Sequence, residues 1–268
     1  MAKTEEQHRQ DILDVGKLIY QKGWVAANDG NLSVRLGDRI LCTCTGVSKG
    51  MMTPADLTVC DLNGNKISGA RECTTEIGMH VVIYQMRPDV SAIVHAHPPV
   101  ATGFAVAGRA LNQALLPEVI VSLGCVPLAE YGLPGTAALS DGMRPFIPSY
   151  DAILLANHGA VCYGEDLYKA FFKMETMEHF ARITLVAELL GGPQILPRQE
   201  VQKLFEARAR YGVMCRNSME PGSPIVAEEA EGQDTGDDAE ARGNRLGMAR
   251  AELVTLVEEA LRSRGVLT

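Results

Sequence analysis

The sequence predicts an α/β protein, a three-layer sandwich whose mixed, largely antiparallel sheet is flanked by helices. Three observations carry that expectation. Short strand-like runs alternate with helical ones, but too irregularly for a doubly wound dinucleotide fold. An Asn63-Gly64 dipeptide between two strand-like runs signals a hairpin, which joins antiparallel neighbours. Neither GxGxxG nor GxxxxGK[ST] occurs.

Taken in order, Gln7 to Gly23 reads as an amphipathic helix with Ile12, Leu13, Val15, Leu18 and Ile19 on its apolar side and Gly23 as its stop. The runs NLSVRL, RILCTCT, LTVCDL and NKIS read as strands. Thr74 to Met86 reads as a helix capped by Thr74 or Thr75 and ended by Arg87-Pro88. VSAIVHAH is a strand, followed after Pro98-Pro99 by a helical TGFAVAG, and VIVSLG reads as a further short strand. DAILLANHGAVCYG reads as two strands or a strand and a tight turn. A long helix is expected from about Leu167 to Leu190, and a last one from Arg198 to Tyr211.

Charge divides the chain. The net charge is -8 over 268 residues, and between Met219 and Arg242 stand eight acids against one base. That stretch is rich in Gly and Pro and too poor in apolar residues to repay its ordering entropy. The expected organisation is a catalytic body over residues 1–217, an acidic disordered linker over 218–242 and an amphipathic helix over 243–268, with Leu246, Leu253, Leu256, Val257 and Leu261 near one stripe. No broad basic face supports nucleic-acid binding. No apolar run is long enough to span a membrane, and no signal-peptide core follows the charged N-terminus. A cytoplasmic protein with no nucleic-acid or membrane partner is therefore expected. Seven scattered cysteines read as reduced thiols. Cys42 and Cys44 would share one strand face, and strand packing is the expectation because no second cysteine pair stands nearby to complete a metal site.

The histidines carry the chemistry. His95 and His97 end an apolar run at i, i+2, a spacing that points both imidazoles the same way on a strand. His158 ends a second apolar run with Gly159 behind it. Two strand ends that each deliver histidine can assemble a three-nitrogen face with open positions, the pattern of catalytic rather than structural zinc. Two partly buried histidines at a strand end are the plainer alternative. Glu76 falls in the first turn of its helix, where a carboxylate suits the macrodipole, so it is either a capping acid or an acid/base or fourth ligand. Glu76 and His80, four apart, could hold metal themselves, but His80 reads more easily as packed. His8 and His179 carry no assigned role.

These strings occur together in order: NDGNLSVR (Asn28 to Arg35), CTG (Cys44 to Gly46), TTE (Thr74 to Glu76), HAH (His95 to His97), YGLPGT (Tyr131 to Thr136) and NHG (Asn157 to Gly159). On them the chain resembles the class II aldolase/adducin family over about Asp11 to Val213. The resemblance implies Zn2+, or another divalent ion such as Mn2+ or Co2+, on His95, His97 and His158, with Glu76 as remaining ligand or base. It implies that Asn31, Thr45, Gly46, Thr74 and Thr75 hold a substrate phosphate, which Gly-flanked amides and small hydroxyls can do without lysine. It implies a homotetramer with active sites at subunit interfaces and Tyr211 reaching across one as a catalytic group.

The activity so implied is a zinc-dependent lyase that cleaves a small phosphorylated sugar, a ketose, by retro-aldol chemistry to dihydroxyacetone phosphate and an aldehyde, through a zinc-stabilised enediolate. Glu76 would move protons at the hydroxymethyl carbon, aided by a raised pKa in a desolvated pocket. One departure from the family's sugar-phosphate aldolases is Val121, which aligns where they carry the tyrosine for aldehyde protonation. A decarboxylase, dehydratase or 4-epimerase on the same metal triad is the alternative reading. A non-catalytic adducin-like module is a third, and the intact ligand set argues against it.

Overall fold

The structure, a computed structural model, describes residues 3–208. Tyr211, the expected boundary near Asn217, the acidic linker and the terminal helix lie outside the described residues. Helices are α1 (Glu5–Gln21), α2 (Ile77–Met86), α3 (Pro99–Val106), α4 (Pro117–Ser122), α5 (Ala137–Met143), α6 (Leu167–Leu189) and α7 (Arg198–Ala207). Strands are β1 (Asn31–Leu36), β2 (Arg39–Thr43), β3 (Leu57–Asp61), β4 (Lys66–Ser68), β5 (Ala92–Ala96), β6 (Leu128–Ala129), β7 (Ala152–Leu155) and β8 (Gly159–Gly164). They form one eight-stranded sheet in the order β4-β3-β2-β1-β5-β8-β7-β6. Every pairing is antiparallel except β6 with β7.

Alternation along the strands builds two cores. Leu32, Val34, Leu41, Val94 and Ala160 face α1, α3 and α6, meeting Ile12, Ile19, Phe104, Phe171, Met174 and Phe180. Ile40, Cys42, Cys60, Ile93, Ile153 and Val161 face the other way, onto Met79, Val82 and Ile83 of α2 and Leu139 and Met143 of α5. Helix, sheet and helix make the expected three layers. Thr4 starts α1 with a capping box: its hydroxyl accepts from Gln7 N, and the Gln7 side chain accepts from Thr4 N. The Asn63-Gly64 turn between β3 and β4 is closed by the Asp61 carboxylate, which accepts from the backbone of Asn63 and Asn65 at 2.8 Å.

Two expected elements differ. VIVSLG is helical: Pro117 sits in the first turn of α4, and helical turning sends Val119 into one core and Ile120 into a separate patch with Ala114, Cys125 and Val201. A short continuous apolar run has no periodicity to distinguish these outcomes. Helix α2 begins at Ile77 rather than Thr74, and neither Thr74 nor Thr75 is its N-cap.

Candidate metal centre

Four segments end at one edge of the sheet and bring the chemistry together. β1 begins at Asn31 directly opposite His95 of β5. β8 lies on the other side of β5, pairing Val161 with His95 and Ala160 with Ala96. The turn from β7 to β8 carries Asn157 and His158, with Leu155 facing Gly159. Glu76 stands at the N-cap of α2, behind the same edge.

Close approach of these segments depends on two glycines. Gly30 has φ +71° and lies under β5, where a Cβ would stand 2.8 Å from the His95 carbonyl. A Cβ at Gly159 would overlap the His97 ring and sit 2.8 Å from the Ala96 carbonyl. Asn157 adopts φ 54°, the left-handed conformation that asparagine tolerates, and so turns His158 back towards β5.

The three imidazoles meet. Ring centroids lie 5.1 Å apart for His95–His97, 4.8 Å for His95–His158 and 5.1 Å for His97–His158. One ligand nitrogen from each lies within 4.8 Å of the others. His97 is one residue beyond β5, yet its ring still reaches the point that the i, i+2 spacing predicts, its N–H anchored on Trp24 O at 2.8 Å. Glu76 faces the group, with Oε2 3.3 Å from His95 Nε2 and Oε1 3.3 Å from His158 Nε2.

Polar atoms left without hydrogen-bond partners are concentrated here: Glu76 Oε1, His95 Nε2, His97 Nε2 and His158 Nδ1. Buried orphans of this kind are costly unless something else satisfies them. The surroundings also orient the rings. His95 Nδ1 lies 2.9 Å from Ala160 O, so it donates there and Nε2 presents its lone pair to the centre. Asp29 Oδ2 lies 3.6 Å behind His97 Nδ1. Burial, reinforced by His95, lowers His97 and His158 to about 4, which keeps both imidazoles neutral at physiological pH. Neutral histidine, an ionised carboxylate and inward-facing orphan atoms fit a divalent ion.

Glu76 departs from expectation twice. It makes no side-chain capping bond; instead Thr74 Oγ1 accepts from the Glu76 backbone N–H at 3.3 Å. Its pKa is lowered, not raised. Burial opposes ionisation, but His95, His158 and the Asn31 amide outweigh it and hold the carboxyl well below the usual range. Asn31 Nδ2 donates to Glu76 Oε2 at 2.8 Å, so this amide serves the carboxylate. A buried chain continues behind it: His80 Nε2 is 2.5 Å from Asn31 Oδ1, and Ser33 Oγ is 2.6 Å from His80 Nδ1 and 2.8 Å from Tyr84 OH. His80 is thus packed, as expected, and also polar-linked. Ser33 and Tyr84 escaped the sequence reading, although Glu76, His80 and Tyr84 at i, i+4 and i+8 fall on one helix face and Asn31 and Ser33 on one strand face.

The other expected residues surround this group. Thr45 and Gly46 are exposed in the turn after β2, and Thr75 is exposed beside buried Thr74. Two backbone bonds of 3.2 Å, Thr45 N to Glu72 O and Thr74 N to Thr43 O, tie the two segments together. The loop of YGLPGT covers this segment, with Gly135 beside the Thr75 carbonyl, while Tyr131 is exposed. Lys49, also missed, is buried and donates to Asn28 O at 3.0 Å and Val47 O at 2.7 Å, joining the turn after β2 to the segment before β1. Val121 is buried on α4. A cavity of about 560 Å³ lined by Trp24, Glu118, Glu175, His179 and Arg182 contains none of the site residues.

Comparison with known proteins gives consistent matches. The sequence profile of the Class II Aldolase and Adducin N-terminal domain matches residues 10–185. The chain is 32% identical over 176 residues to an L-fuculose phosphate aldolase of Methanococcus maripaludis, covering 66% of this chain and 95% of the relative. It is 32% identical over 188 residues to a 3-oxo-tetronate 4-phosphate decarboxylase of Pectobacterium atrosepticum, covering 68% and 86%. Among solved structures, an L-fuculose 1-phosphate aldolase superposes with a TM-score of 0.71 at 32% identity, covering 77% of this chain and 97% of that one.

Proposed function

The chain belongs to the class II aldolase and adducin family, and from that premise we propose that it is a metal-dependent carbon–carbon lyase. Its reaction is retro-aldol cleavage of a phosphorylated ketose to dihydroxyacetone phosphate and an aldehyde. The observation that carries this reading is the convergence of three imidazoles, with His97 and His158 held neutral, and one ionised carboxylate, each with a buried atom left without a hydrogen-bond partner. His95, His97 and His158 would hold a divalent ion, with Zn2+ first and Mn2+ or Co2+ as substitutes. Such an ion supplies Lewis-acid stabilisation for the charge that develops on substrate oxygens as the bond breaks.

The chain's own groups do the rest. Glu76 Oε2 is fixed by Asn31, which leaves Oε1 uncommitted and ionised, able to ligate or to take a proton from carbon. Thr45, Thr74 and Thr75 bind the phosphate through their hydroxyls and Gly46 through its backbone amide, since the amides of Thr45 and Thr74 are engaged with Glu72 and Thr43. Asn31 supports that pocket by holding the Glu76 carboxylate beside it, because its amide is engaged with Glu76 and His80 and its backbone pairs with His95. Val121 has no proton to give, so Tyr131, Tyr211 or a water molecule protonates the aldehyde oxygen. The assembly is a homotetramer in which Tyr211 reaches a neighbouring subunit's site.

A second reading has its own support. Val121 in place of a tyrosine, together with the similarity to a 3-oxo-tetronate 4-phosphate decarboxylase, suits loss of carbon dioxide from a phosphorylated 3-oxo acid, which needs no aldehyde-oxygen donor. The two are separated by incubating zinc-loaded protein with ketose 1-phosphates and with phosphorylated 3-oxo acids. Dihydroxyacetone phosphate together with an aldehyde from a ketose 1-phosphate, with no carbon dioxide, is the expected result. Carbon dioxide from the 3-oxo acid, which itself leaves dihydroxyacetone phosphate when that acid has four carbons, with no cleavage of the ketose 1-phosphates, would replace it with the second reading. Turnover of neither substrate would reject both.

A further inference from the structure

A second cluster lies on the opposite face of the sheet from α1 and α6. The thiols of Cys42, Cys60 and Cys73 each stand within 4.8 Å of the other two, and none is in a disulfide. Sequence spacing put Cys42 and Cys44 on one strand face, where packing was the expectation; the fold brings Cys42 together with Cys60 from β3 and Cys73 from the segment before Glu76. Cys42 and Cys60 are fully buried, while Cys73 is half-buried and opens the trio to solvent.

Strand register decides what such a trio can do. Cys60 faces Ile40, and Cys42 faces Thr58, so the two cysteines are diagonal neighbours. Cys73 faces Cys44, which makes it diagonal to Cys42 as well. Diagonal neighbours have Cα atoms about 7–8 Å apart, at or beyond the limit of about 7 Å for a disulfide without backbone movement. The side chains converge although the backbones stay apart, which disfavours a disulfide but suits a centre that sits among three sulfurs. Soft thiolates select thiophilic ions, and no fourth His, Cys, Asp or Glu joins the trio among the described residues to close a tetrahedral zinc site.

Charge narrows the choice. The groups acting on Cys42 and Cys73 are mainly burial and the other thiols, with the Glu72 carboxylate beside Cys73. Three thiolates around a monovalent ion would leave two net negative charges in this dry setting. Around a trivalent centre they leave none. We propose that Cys42, Cys60 and Cys73 form a three-sulfur binding site for a trivalent thiophilic metalloid, of the class represented by arsenous acid. In that condensation three As–O bonds and three S–H bonds break, three As–S bonds form, and three waters leave, with no change in oxidation state. Because Cys73 lies three residues before Glu76, in a segment bonded to β2, occupation would pin the strand leading into the candidate metal centre.

The test is native mass spectrometry of the full, zinc-loaded chain with arsenous acid, alongside Cys73→Ser, Cys60→Ala and Cys125→Ala. The expected adduct is one arsenic minus three hydrogens, and that mass counts three thiols directly. Cys73→Ser replaces a partly exposed side chain with its nearest isostere, so folding should survive while affinity falls at least about tenfold; Cys125→Ala should bind like wild type. Unchanged three-thiol binding in Cys73→Ser and Cys60→Ala would overturn the assignment. So would equal loss in Cys125→Ala, or Cu(I) binding at this trio where arsenous acid does not.

Discussion

Glu76 holds one oxygen on Asn31 and presents the other to the histidines, and the predictions at residue scale follow from that division. Asn31→Ala should fold and still bind a divalent ion, but lose about 10–100-fold in turnover or metal affinity, as removal of an outer partner typically does; unchanged kinetics would show that the carboxylate is positioned by something else. Glu76→Gln should keep its fold while abolishing solvent-deuterium exchange at the substrate carbon, followed by NMR, and retained exchange would remove Glu76 as base. His80 makes a separate prediction about stability. Burial pushes it from 6.5 down to about 3, so between those values the unfolded chain binds a proton that the native chain refuses. Native stability must therefore fall as pH drops through that interval. Buried His97 and His158 add to the effect, so the contrast to measure is urea unfolding of wild type against His80→Gln. The variant should show a pH slope shallower by about one proton between pH 6 and 4, and identical slopes would contradict the assignment.

At the scale of elements, the turn between β7 and β8 is the least replaceable part of the centre. A side chain at Gly159 has nowhere to go except into the His97 ring and the β5 carbonyls. Gly159→Ala should cost about 1–3 kcal/mol of stability, as overpacking does, and weaken metal binding, as read by thermal melts with and without zinc. A melt unchanged in both states would mean that the turn relaxes freely. The same turn shows what could be read in advance. HAH and NHG each end an apolar run, so two strand ends bearing histidine were legible, and the sheet brings them together as expected. The helical identity of α4 was not, because its apolar run carries no period and Pro117 alone marks its start. Nor was the chain Asn31–His80–Ser33–Tyr84, whose members stand two on β1 and two on α2 and meet only when the strand and the helix pack. Cys60 and Cys73 were equally hidden: each looks solitary until register sets it diagonal to Cys42.

Across the whole molecule, the antiparallel sheet with helices on both faces was written in the alternation of runs and in Asn63-Gly64, while the tetramer, the acidic linker and Tyr211 rest on sequence and family. Limited proteolysis between Gly222 and Gly236 should leave activity intact; its loss would make the terminal segment part of the working enzyme. Any lyase or decarboxylase chemistry at this site depends first on His95, His97 and His158 forming a metal centre. Elemental analysis of purified wild type beside His95→Ala, both reconstituted with zinc at neutral pH and freed of excess by a weak chelator, tests it most directly. The predicted result is about one zinc per chain in wild type and its loss in the variant; wild type with no bound zinc, or a His95→Ala protein that keeps its full complement, would contradict it.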